Sequence, residues 1–442
     1  MERNKKRRKQ RTRLSVLACL LVLLIVGAAG TVVSASGSRL PVGTRIVGVD
    51  VGGLSYEEAK DKLQAWLQWG QRNLVLEAGS SEFKVGLEEL GIRPLVDATL
   101  AQVQPVLWWR FAKQPGELPL VVTLDENQWS IVMSHIKRAV EKEPVPAKLE
   151  IGPDDSVSIV KEVAGAILES ESLKDVLLNG GKWYSIPQRV VVPLSKVLPE
   201  MTEKKVMALG VRKLIGSYST RYEEDGKRSE NIKIACSKID GLLLAPGEVF
   251  SFNAVVGPRD ESGGYQEANV FLEGRVVPGI GGGICQVSST LYNAVLLANL
   301  KVVERHNHFF AVDYVPLSRD ATVAWNGPDL VLKNTLNCHV VLKCAAREGV
   351  ITAKVFGDAP PGQAVRIISE VLERIEFPTQ TVVDPTKPQD FKKEEKGAYG
   401  YRSRAYRVIL KDGKEVSREL LSVDYYKPRP RIVTTGAGKA GS

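Results

Sequence analysis

The chain has 442 residues, 44% of them hydrophobic and 25% charged, and a formal net charge of +9. Those are globular proportions at a length that favours two to four folded units, so a disordered or fibrous chain is excluded. The charge is local: MERNKKRRKQRTR (1–13) holds eight Lys/Arg against one Glu, which leaves about +2 for all the rest and excludes a nucleic-acid footprint.

The basic segment 1–13 runs into twenty uncharged residues, Leu14 to Val33. A helix of that length spans roughly 30 Å of hydrocarbon, so residues 14–34 are expected to cross the cell membrane once. The positive flank would stay cytoplasmic and the main domains would lie outside. The alternative is a cleaved signal peptide, with VSAS (33–36) as its cleavage site; the apolar run is longer than the usual signal core of about 7–15 residues, which favours an uncleaved anchor.

Residues 40–212 read as two small α+β units. In the first, Val47 and Val49 share the face of a short strand, and Ser55 caps a helix whose first turn carries Glu57 and Glu58. A looser version of the pattern recurs from about 145, and neither copy holds a catalytic cluster. From 213 to 358 the chain turns rich in Gly, Asn and aromatics and reads as a mixed α+β domain. One helix is clear there, Ile284 to Asn299, with Ile284, Val287, Leu291, Val295 and Ala298 on its apolar side. APPGQ (359–363) breaks the chain, and a β-rich module with an Asp-Gly hairpin in LKDGKEV follows.

Of five cysteines, Cys19 falls in the apolar run, and Cys236, Cys338 and Cys344 read as small buried hydrophobes. Cys338 and Cys344 lie six residues apart on one strand face, about 20 Å, and cannot bridge each other. Cys285 differs. It follows Gly281-Gly282-Gly283 and opens the predicted helix, where free backbone N–H groups and the dipole favour a thiolate. Phasing at 100° per residue groups it with Ser288, Ser289 and Tyr292, beside the apolar face. In VVERHNHFFAV (302–312), strand alternation puts Glu304, His306, His308 and Phe310 on one face. The pattern is open to three readings. It fits a cysteine nucleophile with a histidine base and Glu304 or Asp320 as third member. It fits a metal site on His306 and His308. It also fits a packed turn and a solvated strand face with no chemistry.

The run from about 228 to 334 resembles the VanW family. The matching motifs are Asn231-Ile232, LAPGEVFSFN (244–253), GGGICQVSSTLYN (281–293), Glu304, Arg305 and His308, and RDATV (319–323). The region before it is similar to a peptidoglycan-binding domain of anchored Gram-positive proteins. The segment 366–436 is similar to the five-glycine (G5) domain, through ERIEFPT (373–379), DPT (384–386) and LKDGKEVSRE (410–419), with Gly397, Gly400, Gly413 and Gly436 as its glycines. The resemblance implies a wall-side, single-pass protein whose partner is peptidoglycan or another N-acetylglucosamine-containing glycan, with no cofactor. It implies either wall binding and organisation or a Cys285-dependent amidase or transpeptidase. The family is named for an association with vancomycin resistance and brings no assigned catalytic residues. Cys285, His308 and Asp320 (or Glu304) fall inside its motifs and form the candidate catalytic set; Gln286, Ser288, Ser289, Tyr292 and Arg305 are the candidate substrate contacts.

Overall fold

The computed structural model describes residues 39–69, 74–103, 117–179, 189–272 and 275–438. It is mixed α+β, rich in strands, and all β after residue 357. The chain divides into two compact units, 1–146 with 162–200, and 147–161 with 201–442. The apolar run 14–34 and its basic flank lie outside the described residues. Among those described, no helix is long and apolar enough to cross a membrane.

In the first unit, Ser55 and Glu58 exchange hydrogen bonds: Glu58 N donates to Ser55 Oγ (3.3 Å) and Ser55 N to Glu58 Oε2 (2.7 Å). This capping box starts the helix Tyr56–Trp69. Val47 is not on a strand face. It sits at φ 46° in the turn between Arg45–Ile46 and Val49–Asp50, where burial of its side chain holds it. Two successive α+β units are not what forms either. The late strand Arg189–Val191 pairs in parallel with the early strand Leu74–Ala78, and Leu168, Leu173 and Val190 share one core with Leu76, Ile92, Trp129 and Met133. Each half has an apolar face to cover, and the two halves cover each other.

The second unit is built on a four-stranded antiparallel sheet in the order Lys213–Arg221, Val350–Gly357, Val340–Arg347, Leu242–Leu244. The helices Gly226–Ile239 and Ile284–Leu297 pack on it. Ile284, Val287, Leu291, Val295 and Ala298 are buried, as the phasing predicts, and so are Gln286, Ser288, Ser289, Thr290, Tyr292 and Asn293. Ile284–Leu297 is therefore a central helix, covered on its polar side as well. Sheet and helix approach so closely that a Cβ at Gly216 would run into the Ala294 carbonyl. Cys236 and Cys344 are buried, as expected, and face each other with their sulfurs 3.1 Å apart.

Gln363–Ile375, Gly400–Lys411 and Lys414–Tyr426 form a long antiparallel sheet. Asp412 and Gly413 make its tight turn at φ 50° and 80°, the geometry an Asp-Gly hairpin requires. Beyond it, Arg431–Gly438 lies between Thr379–Pro388 and Lys392–Glu395.

Candidate active site

The glycine turn aims Cys285. Gly283 caps the central helix at φ 104°, and a side chain there would strike Ile232 and Arg228. Asn231 holds the turn: its Nδ2 donates to the carbonyls of Gly282 (3.2 Å) and Gln266 (2.9 Å), and its Oδ1 accepts from Gln266 N (2.8 Å). Cys285 follows in the helix's first turn, partly buried, with Sγ donating to Val323 O at 3.4 Å.

The histidine arrives differently from the expected strand. Pairing ends at Glu304, after a register shift between Val302 and Glu304, and residues 305–308 have no regular structure. His306 and His308 therefore do not share a face. His306 is exposed and its Nε2 lies 3.0 Å from Glu304 Oε1, so Glu304 pairs with the outer histidine. His308 turns inward, its side chain 14% exposed, to Asp320, which is 1% exposed. Asp320 Oδ2 accepts from both the backbone N and the Nδ1 of His308, each at 2.6 Å. With Nδ1 engaged, Nε2 is the ring nitrogen left for Cys285. Among the described residues, no group of three or more His, Cys, Asp or Glu is arranged to hold a metal ion.

Burial opposes charge on all three groups, and their mutual contacts outweigh it. Burial pushes the Cys285 thiol up, but the hydrogen bond and charge of His308, helped by Arg259, bring it below its ordinary value. Burial pulls His308 down, but Asp320 and Cys285 push it up to about 9. Asp320 is held at about 2, against its burial, by His308, Arg305 and Tyr426. The directions of the two shifts, thiol down and imidazole up, favour thiolate beside imidazolium, the activated form of a cysteine nucleophile.

The expected substrate contacts lie inside. Ser288 Oγ donates to Ala321 O (2.7 Å), while Ser289 Oγ donates to Cys285 O (2.7 Å) and accepts from Ala321 N (2.9 Å). Gln286 Nε2 donates to Arg221 O (2.8 Å), and its Oε1 accepts from Arg228 Nη2 (2.8 Å). Tyr292 is buried beneath the Arg305 guanidinium, 5.5 Å from ring centre to Cζ. A buried, bonded side chain has no face to offer a ligand. The two serines instead tie the 319–323 loop to the central helix, and Gln286 ties that helix to Arg221 and Arg228. Arg305 spans two carboxylates: Nη2 donates to Asp320 Oδ1 (2.9 Å), and Nη1 donates to Asp424 Oδ1 and Oδ2 (2.8 and 2.7 Å).

Sequence reasoning missed Arg259, Tyr314, Asp424 and Tyr426. Arg259 donates from Nη2 to Asn253 Oδ1 (2.7 Å), and its guanidinium lies over Trp325 and Phe252, 6.0 and 5.7 Å from the ring centres. Tyr314 meets the His308 ring edge-on at 6.4 Å. The only available signal was for Arg259, a basic residue in the matched run.

Comparison with known proteins matches three segments of the chain. A family model for VanW-like proteins matches residues 227–356, a G5 domain model matches 368–438, and a peptidoglycan-binding domain model matches 83–183. The uncharacterized protein YoaR of Bacillus subtilis is 33% identical over 264 residues, 58% of this chain and 84% of that protein. The vancomycin B-type resistance protein VanW of Enterococcus faecalis is 28% identical over 150 residues, 33% of this chain and 54% of that one. A solved IgA1 protease G5 domain matches 17% of this chain and 94% of its own at 25% identity, with a TM-score of 0.14.

Proposed function

We propose, from the premise that this chain belongs to the VanW-like protein family, that it is a cell-wall protein in which Cys285 carries out acyl transfer on peptide amides of peptidoglycan. The peptidoglycan-binding and G5 segments support the wall association. Residues 14–34 would cross the membrane once and hold the main domains on its outer side. The observation that carries the chemistry is the His308 Nδ1–Asp320 contact at 2.6 Å beside a cysteine at a helix N-terminus.

In this reading the Cys285 thiolate attacks the carbonyl carbon of a wall-peptide amide, forming a C–S bond. The positive end of the central helix dipole would stabilise the developing oxyanion. The His308 imidazolium gives its Nε2 proton to the departing amine nitrogen as the C–N bond breaks, leaving a thioester. Water, or an acceptor amine, then attacks the thioester and loses a proton to His308 while the C–S bond breaks, which releases the acyl product and restores the thiolate–imidazolium pair. Asp320 keeps the imidazole in the tautomer with Nδ1–H and balances its charge.

A second reading, binding and organising the wall without chemistry, is favoured by one observation. The serines, glutamine and tyrosine of the signature are closed inside the protein. The two readings part on incubation of residues 35–442 with peptidoglycan, followed by mass spectrometry of the soluble products. Release of peptide by the parent and none by Cys285→Ala is the expected result. Retention of both proteins on the wall with no product from either leaves the binding reading.

A further inference from the structure

We propose that Asp424 and Tyr426, which the C-terminal module contributes, are positioning residues of the Cys285–His308–Asp320 site. This rests on the catalytic reading above. Both residues lie within the segment matched by the G5 model and beyond the one matched by the VanW model. They sit on the strand Lys414–Tyr426, at the inner edge of the long sheet. Tyr426 Oη donates to Asp320 Oδ1 at 2.5 Å and accepts from Ser318 N at 2.8 Å. Asp424 takes both oxygens to Arg305 Nη1, and the same guanidinium holds Asp320 through Nη2 and the Asp320 carbonyl through Nε (2.6 Å).

The docking continues outward. Lys427 N donates to Phe309 O (2.9 Å), and Asn307 Nδ2 to Tyr425 O (3.0 Å), one residue on either side of His308. Ser318 and Ser403 share a hydrogen bond at 2.8 Å, and Arg407 Nη1 donates to Leu300 O at 2.7 Å. The loop that carries His308 and Asp320 thus has the C-terminal sheet as its second wall. A domain cut at residue 358 would leave Arg305 and Asp320 without the partners that fix them. The module that resembles a glycan-binding domain is part of the site's frame, so wall contact and chemistry share one rigid element.

The test uses the full chain and a readout that needs no turnover, so it stands apart from whether a substrate is found. The chain has four histidines, His135, His306, His308 and His339, so each imidazole can be followed by NMR titration. Asp424→Asn removes an anion near Arg305 and leaves that cation less balanced; the His308 midpoint should fall by about half a unit or more. Tyr426→Phe frees Asp320 Oδ1 from a donor and leaves more negative charge facing His308; its midpoint should rise. Opposite shifts support the proposal. Two unchanged midpoints, or two midpoints drifting together towards the ordinary histidine value as in simple loosening, overturn it.

A separate observation carries a second proposal: we infer that Cys236 and Cys344 form a disulfide in the exported protein. Cys236 lies on the helix Gly226–Ile239 and Cys344 on the strand Val340–Arg347 beneath it, both buried, with sulfurs 3.1 Å apart. Shortening that contact to the roughly 2.05 Å of a disulfide needs about 1 Å of movement. The oxidant is a disulfide donor of the export pathway. One thiolate attacks the donor's sulfur and the second displaces the donor thiolate, so the donor leaves as its dithiol and the pair gives up two protons and two electrons. The contact with Cys236 and burial raise the Cys344 thiol well above its ordinary value, so exchange must precede closure of the core. The secreted chain would be denatured in N-ethylmaleimide without reductant and mapped by mass spectrometry. A cross-linked Cys236–Cys344 peptide with label on Cys285 and Cys338 is expected. Label on Cys236 and Cys344 as well overturns the inference.

Discussion

Asp320→Asn is expected to lower product release by about 10²–10⁴-fold at neutral pH while leaving wall binding intact. The carboxylate serves two groups of donors. Its Oδ2 receives His308 N and Nδ1, and its Oδ1 receives Arg305 Nη2 and Tyr426 Oη. An amide has one oxygen for both. If that oxygen stays with Arg305 and Tyr426, the NH₂ group faces His308 and forces Nδ1 to accept. The ring proton then sits on Nε2, where it blocks uptake of a proton from Cys285. The loss of charge acts in the same direction. Without Asp320, burial dominates and His308 falls from about 9, so the thiol loses its imidazolium and its pKa rises.

The alkylation rate of Cys285 against pH, measured with iodoacetamide, checks this: the midpoint should move upward in the variant. An unchanged midpoint would separate Asp320 from the thiol's chemistry. Stability should respond as well. His308 is raised in the fold, so its contribution is fully present below about 6.5 and is lost as pH rises through about 9. Asp320 is depressed, so its contribution is present above about 4 and is lost as pH falls towards 2. The urea midpoint of the parent should be highest between those limits, and that of Asp320→Asn should be flatter across them.

What could be read from the chain divides along local and non-local lines. Cys285 was legible because a glycine turn and a helix phase are properties of neighbouring residues. The apolar side of the central helix was legible for the same reason. The polar side was misjudged, because phasing gives a direction and says nothing of what covers it; here the 319–323 loop does, through Ser288 and Ser289. His308 was found by motif, and the strand face offered as its reason fails at Glu304, where pairing stops. Asp424 and Tyr426 had no signal at all, since Tyr426 meets Asp320 across 106 residues and from another module. The same limit hid the shared core of the first unit, where a strand at 189–191 completes a sheet begun at 74–78.

The largest effect on stability is expected from Arg305. Its side chain is 6% exposed and lies between Asp320 and Asp424, which are 1% and 7% exposed. Arg305→Met preserves most of the packing over Tyr292 but leaves Asp424 enclosed without its cation and Asp320 with His308 as its one remaining positive partner. Breaking a buried pair in this way lowers stability by about 3–5 kcal/mol. Arg305→Lys keeps the charge but cannot reach both carboxylates with paired N–H groups, so an intermediate loss follows. Denaturant unfolding at pH 7 measures both, and a loss below about 1 kcal/mol for the Met variant would place the pair in the class of solvent-screened surface contacts. The double variant Arg305→Met, Asp424→Asn should recover part of the loss, because one of the stranded charges is gone. Acid provides an independent check. Without Arg305, Asp320 loses one of the groups that hold it near 2 and protonates at a higher pH. The gap between parent and variant should therefore narrow as pH falls below about 5, and a gap that stayed constant would mean that lost packing, not stranded charge, is the cause.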